Sequence, residues 1–136
     1  SHLKKAAKEW IVAKVKDLRT EGALSFEIEI DSNGGFCDVG FDIYDYLVSI
    51  PEEVTTIAVN KCASIATVIF LAGNIRLAKC ALMIHNPWIS RVQGDADEVQ
   101  EAADAIRAEE DKLINFYSKH TGIEKIALDA LMKQET

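Results

Sequence analysis

Apolar residues recur at helical spacing at the start of the chain. Ala7, Trp10, Ile11, Val15 and Leu18 mark one face over residues 3–21, and Gly22 follows as a stop signal, which predicts a first helix. The period then drops to two. LSFEIEID, residues 24–31, alternates apolar and acidic side chains as a half-buried strand does. SNGG, residues 32–35, predicts a turn or tight loop. Helical spacing returns from Asp38 to Ile50, with Val39, Ile43, Tyr44, Leu47 and Ile50 on one side and Pro51 just beyond. The β-branched run VTTIAVN, residues 54–60, predicts a second, buried strand, and ASIATVIFLAG, residues 63–73, a short helix ended by Gly73. IRLAKCALMIH, residues 75–85, holds one or two short strands before NPW breaks the pattern. A loop with Gly94 leads into a long amphipathic helix from Asp95 to Lys119, HTG closes it, and IEKIALDALMKQ forms a last helix.

Helices alternating with strands in this order predict an α/β layered domain with a largely parallel sheet flanked by helices. Residues 1–136 read as a single domain, trimmed at both ends, without internal repeats. The 49% apolar and 27% charged content is that of a folded globular chain. A net charge of −7 with no basic stripe argues against nucleic acid and against an anionic membrane surface as partners. ATVIFLAG and the other apolar runs fall far short of the roughly 20 residues that span a bilayer. Three cysteines, Cys37, Cys62 and Cys80, at wide spacing and without a CxxC pair, suggest reduced thiols in a cytoplasmic protein and neither a disulfide framework nor a metal site.

Chemistry gathers at the ends of the strands. In an open α/β sheet, sites form beyond the carboxyl ends of the strands. Ser64 stands where the second strand gives way to a helix, so it is either a helix cap or a nucleophile beside backbone N–H groups that can hold an oxyanion. His85 ends the apolar strand ALMIH at the same kind of position, either as a half-buried histidine satisfied by backbone or as a base for the serine. Gly34 and Gly35 form either a plain turn or a loop whose backbone approaches a ligand closely. Cys62 suits a small buried residue, Lys61 points away from the serine, Trp10 belongs to the core, and Trp88 packs at a groove edge.

Four segments, in order and at fitting spacing, resemble one family. IDSNGGFCDVGFDIYDYL resembles the glycine-loop segment of the ClpP-type serine peptidases, NKCASIATVIFLAG their nucleophile segment, LMIHNPW the segment of their general base, and KHTG with the helix after it a further landmark. MIHNPW together with the following loop is most similar to the phage and prophage branch. Two positions depart from the pattern: Asn33 replaces the usual proline before the double glycine, and the glycine often found at the front of the nucleophile segment is replaced within NKCAS.

The resemblance implies a crotonase-like, ClpP-like fold of repeated ββα units. It implies a cofactor-free, metal-free serine endopeptidase that cleaves peptide bonds through an acyl-enzyme and needs no ATP of its own. Ser64 would be the nucleophile and His85 the general base. Glu135 would be the acid, thirteen residues past Gly122, with Asp129 second to it. Gly35 and Ile65 would supply the oxyanion hole, and Gly34, Asn86 and Trp88 would line the substrate site. Partners implied are a peptide or unfolded protein, other copies of the chain in a ring joined through the long helix, and an AAA+ unfoldase or phage capsid proteins. Two alternatives share the fold: a catalytically silent subunit or capsid-assembly scaffold, and a crotonase-type acyl-CoA enzyme.

Overall fold

The computed structural model describes residues 2–89 and 91–134. The chain forms two compact units, Ser1–Ile84 and His85–Thr136.

The first unit is built on a parallel sheet. A two-residue strand β1 (His2–Leu3) precedes helix α1 (Lys5–Thr20), and strand β2 (Ser25–Ser32) follows. A two-residue strand β3 (Gly34–Gly35) opens helix α2 (Cys37–Ser49). Strand β4 (Glu53–Ala63) leads into the five-residue helix α3 (Ala66–Phe70), and strands β5 (Ile75–Ala78) and β6 (Leu82–Met83) complete the unit. Strand β4 is central: β2 pairs with it on one side, and β5 and then β6 pair with it on the other, all parallel.

The long strands follow from their side chains. Strand β2 buries Phe26 and Ile30 and leaves Glu27 and Glu29 exposed, so period-two alternation puts one face inward. Strand β4 buries Val54, Thr56, Ile57 and Ala58 in succession, the near-continuous burial of a strand covered on both faces. Thr56 is kept there by its hydroxyl, which donates to the Phe70 carbonyl at 2.6 Å. Helix α2 turns Val39, Ile43 and Leu47 inward, with Ile43 and Leu47 almost fully enclosed. The end of α1 is tied to the start of β4 by Arg19, whose guanidinium donates to both Glu52 carboxylate oxygens. That ion pair raises the Arg19 pKa and lowers that of Glu52, in each case chiefly through the hydrogen bond between them.

Two expectations change. SNGG is more than a turn, because Gly34 and Gly35 pair in parallel with His2 and Leu3. Trp10 is not core: it is 66% exposed and lines the mouth of an apolar cleft of about 260 Å³ between α1 and β2, with Leu3, Ile28, Ile43 and Ile69.

The second unit consists of an irregular segment from His85 and two helices, α4 (Ala96–Thr121) and α5 (Lys125–Lys133). Asp95 caps α4. Its side chain accepts from the Glu98 N–H at 2.9 Å while Glu98 reaches back to the Asp95 N–H, a reciprocal capping box. At the other end Gly122 takes a left-handed φ of 75° and its N–H donates to the Ser118 carbonyl, which stops the helix. Leu113 and Tyr117 of α4 and Leu128 and Met132 of α5 are buried. The stripe read along the whole of α4 is therefore buried only in its second half, and Val99 in the first half is 44% exposed. No helix among the described residues is long and apolar enough to cross a membrane.

Candidate active site

The end of β4 shapes the surroundings of Ser64. Residues Ile30 and Ser32 of β2 face Ala58 and Cys62 of β4, so one intervening residue on β2 stands against three on β4. This irregularity redirects the strand just before the serine, as bulges beside functional sites do. Beyond it Cys62 and Ala63 are buried and pair with Leu82 and Met83 of β6. The ladder runs one step further, where the Ser64 N–H donates to the Met83 carbonyl at 2.8 Å.

Ser64 itself has a φ of 57°, the only positive φ at a non-glycine residue among the described residues. A serine pays steric energy to sit in the left-handed region, and non-glycine residues held there cluster at functional sites. The turn carries the chain sharply from β4 into α3. Helix α3 starts at Ala66, with Ile65 at its cap position and Ser64 directly before it. The Ser64 carbonyl anchors the new helix by accepting from the Thr67 N–H at 3.0 Å and the Thr67 hydroxyl at 2.6 Å. Ser64 is half-buried. The Ile65 side chain is 1% exposed and locks the start of α3 in place.

The glycine loop lies directly against this turn. Gly34 has a φ of 104°, and a Cβ on it would come 2.8 Å from the Ser64 Cβ and 3.3 Å from its Oγ. No residue with a side chain fits there without displacing the serine. The Ser32 hydroxyl, buried behind the loop, accepts from the Gly34 N–H at 3.1 Å and fixes its course. Gly35 meets the Leu3 backbone still more closely, where β1 and β3 pair. The third glycine of the segment, Gly40 on α2, abuts the Ile65 side chain, so α2 and α3 approach closely at the residue that follows the serine. The first unit thus packs Gly34 and Gly40, from the glycine segment, against the consecutive residues Ser64 and Ile65.

Cys62, two residues before the serine, is 1% exposed, and burial pushes its thiol up to about 12, with Cys80 adding to the shift. A thiol held protonated so far above neutral pH is a packing group and not a nucleophile. Lys61 is exposed.

His85 belongs to the second unit. It follows β6 by two residues and is half-buried. Its Nδ1 lies 2.8 Å from the carbonyl of the next residue, Asn86. Asn86 is held in turn by its N–H, which donates to the Met132 carbonyl at the end of α5 at 3.2 Å. The Asn86 Oδ1 is buried without a hydrogen-bond partner among the described residues. Trp88 is 71% exposed. Asp129, on α5, accepts from Lys133 at 2.8 Å one helical turn away, and that bond raises the Lys133 pKa. Glu135 lies outside the described residues. No group of three or more His, Cys, Asp or Glu side chains among the described residues is arranged to hold a metal ion.

The sequence reading missed the part played by Ser32 and Gly40. An isolated serine at a strand end and a glycine in a helical pattern carry no signal of their own; only the packing around Ser64 gives them one.

The turn thus holds a strained serine between strand and helix, walled by a glycine loop. The family model for Clp protease matches residues 2–136, so the chain belongs to the Clp protease family, a family of peptidases.

Proposed function

We propose that the chain is a serine endopeptidase acting as one domain over residues 1–136, with Ser64 as nucleophile and His85 as general base. The observation that carries this reading is the turn at Ser64, with a φ of 57° and Gly34 pressed against it. A hydroxyl that only capped a helix or filled a core would need neither the strained backbone nor the glycine.

In the proposed reaction Ser64 Oγ attacks the carbonyl carbon of the scissile peptide bond while His85 takes the hydroxyl proton. The carbonyl oxygen becomes an oxyanion that accepts from the backbone N–H groups of Gly35 and Ile65. The C–N bond then breaks, His85 passes its proton to the leaving amine, and an acyl-enzyme remains. Water, deprotonated by His85, attacks that ester and releases the acid product. By the resemblance the third triad member is Glu135, with Asp129 second. The substrate is a peptide or unfolded segment, bound along the Gly34 loop and past Asn86 and Trp88. No ATP is consumed in the cleavage itself.

The finer assignments belong to the same proposal: a cytoplasmic, prophage-type peptidase, assembled as a homo-oligomeric ring through α4, and fed by an AAA+ unfoldase or acting on phage capsid proteins. The exposed half of the α4 stripe, with Val99 at 44%, supports a partner surface there.

A fluorophosphonate probe with peptide mapping tests the reading. Ser64 is expected to carry the label. Ser64→Ala and His85→Ala are each expected to lower peptide cleavage by about 10⁴-fold or more, as for other triads. Absence of label on Ser64, or equal turnover by Ser64→Ala, would overturn it.

A further inference from the structure

We infer that the Ser32 hydroxyl aims the oxyanion hole, by gripping Gly34 at both its N–H and its carbonyl. This rests on the proposed role of the Gly35 N–H in holding the oxyanion, and names what orients that N–H.

The Gly35 N–H shares one peptide plane with the Gly34 carbonyl. Half a turn of that plane changes only ψ of Gly34 and φ of Gly35, and leaves the chain on either side in place. Side chains normally forbid much of such a turn, but two consecutive glycines do not. A flipped plane presents a carbonyl oxygen to the oxyanion where the N–H is needed, and repels it. The Gly-Gly pair that lets the loop lie against Ser64 therefore needs a restraint from outside itself.

Ser32 supplies it. Its hydroxyl accepts from the Gly34 N–H at 3.1 Å and donates to the Gly34 carbonyl at 3.5 Å. A hydroxyl can do both at once, having one proton and two lone pairs. The shorter bond fixes the plane before Gly34, and the longer one holds the plane after it. That peptide is trans, so its N–H lies opposite its carbonyl. With the carbonyl turned toward Ser32, the Gly35 N–H is turned away from it. Ser32 is 5% exposed, which keeps water from competing for these bonds. Beyond the pair, the Phe36 N–H donates to the Leu3 carbonyl at 3.3 Å, so the loop is held on its far side as well.

The ladder in turn places Ser32. It stands in register with Cys62, two residues before Ser64. The serine that grips the loop and the serine that attacks thus sit at the ends of adjacent strands. Ser32 meets no reacting atom and is a positioning residue. Its effect belongs to the transition state, because the oxyanion it prepares for exists only there.

The sequence lets each amide be observed alone. Gly34 is the only glycine that follows an asparagine, and Gly35 the only one that follows a glycine. Protein labelled with ¹³C-carbonyl asparagine and ¹⁵N-glycine therefore gives a single carbonyl–amide correlation, that of Gly34, whose exchange with deuterium can be timed. In Ser32→Ala this amide should exchange about tenfold faster than in wild type, the effect of one lost hydrogen bond. The kcat for a fluorogenic peptide should fall about 100-fold, as when an oxyanion donor is removed, while KM stays within about threefold. The inhibition constant of a peptide boronic acid, whose tetrahedral adduct places an oxygen in the hole, should rise by the factor that kcat/KM loses. An unchanged Gly34 exchange rate in Ser32→Ala would overturn the inference. So would a loss confined to KM, or a kcat within about threefold of wild type. Failure of wild-type Ser64 to take the fluorophosphonate label would sink the peptidase reading instead, and the Gly34 exchange rate would still decide whether Ser32 grips the loop.

Discussion

At Ser64 the cost and the use of a residue conformation coincide. The left-handed φ disfavours serine by about 1–3 kcal/mol, and the turn persists because bonds on both sides hold it: the N–H to Met83 and the carbonyl to Thr67. Gly34 completes the enclosure, so it is the position where a single methyl group tests the site. Gly34→Ala forces a left-handed alanine and a Cβ 2.8 Å from that of Ser64. A misplacement of about 1 Å costs on the order of 100-fold, so the labelling rate of Ser64 by fluorophosphonate and the rate of peptide cleavage should both fall about that far, with an unchanged far-ultraviolet circular dichroism spectrum. Retention of the wild-type labelling rate would show that the loop does not position the serine. Cys62 gives a second residue-scale expectation. Burial pushes its thiol up from an ordinary 9.0 to about 12. The folded state therefore holds the proton more tightly, and stability present below pH 9 is lost progressively as pH rises from there toward 12. Urea midpoints across that range should decline less steeply for Cys62→Ala than for wild type, although the variant starts lower because it leaves a cavity.

Among elements, the long ones were legible and the short ones were not. Helices α1 and α2 and strands β2 and β4 span enough residues for a period of 3.6 or 2 to show, and their limits agree with the reading to within a few positions. Strands β1 and β3 have two residues each. Two glycines carry no hydropathy pattern, and their pairing with residues 2–3 is a tertiary event that no local window contains. The same gap separates what was read of the site from what was not. The strand-to-helix junction at Ser64 was visible, whereas its φ and the bulge that redirects β4 depend on the register against β2. The partial burial of α4 has a like cause, since an amphipathic stripe says which face can be buried and not how far along a neighbour extends. The ends of α4, by contrast, are written locally. Asp95 and Glu98 satisfy each other's N–H groups, so Asp95→Ala should cost about 1 kcal/mol in chemical denaturation, while Asp95→Asn, which keeps an accepting oxygen, should cost less than half of that. Equal losses for the two variants would mean that the charge at the helix start, and not the capping bond, supplies the stability.

At the scale of the molecule the net charge is a property that the turn at Ser64 does not express. Twenty-two acidic residues against fifteen basic ones leave a charge of −7. Acidic side chains such as Glu27, Glu29 and Asp31 are exposed along β2, the strand that leads to the glycine loop. A field of one sign raises the local concentration of oppositely charged ligands, and salt screens it over about 10 Å at 0.1 M ionic strength. Among peptides alike at the cleaved bond, those with lysine or arginine in the flanking positions should therefore be cut faster than those with glutamate. The advantage should appear in kcat/KM and not in kcat, because steering acts on encounter and leaves the bound chemistry unchanged. Raising ionic strength from 20 mM to 500 mM should lower kcat/KM of the cationic peptide and raise that of the anionic one, until they differ by no more than about twofold. A preference that survives high salt would instead reside in direct contacts with the peptide, and one that appears in kcat would place the charge at the reacting bond.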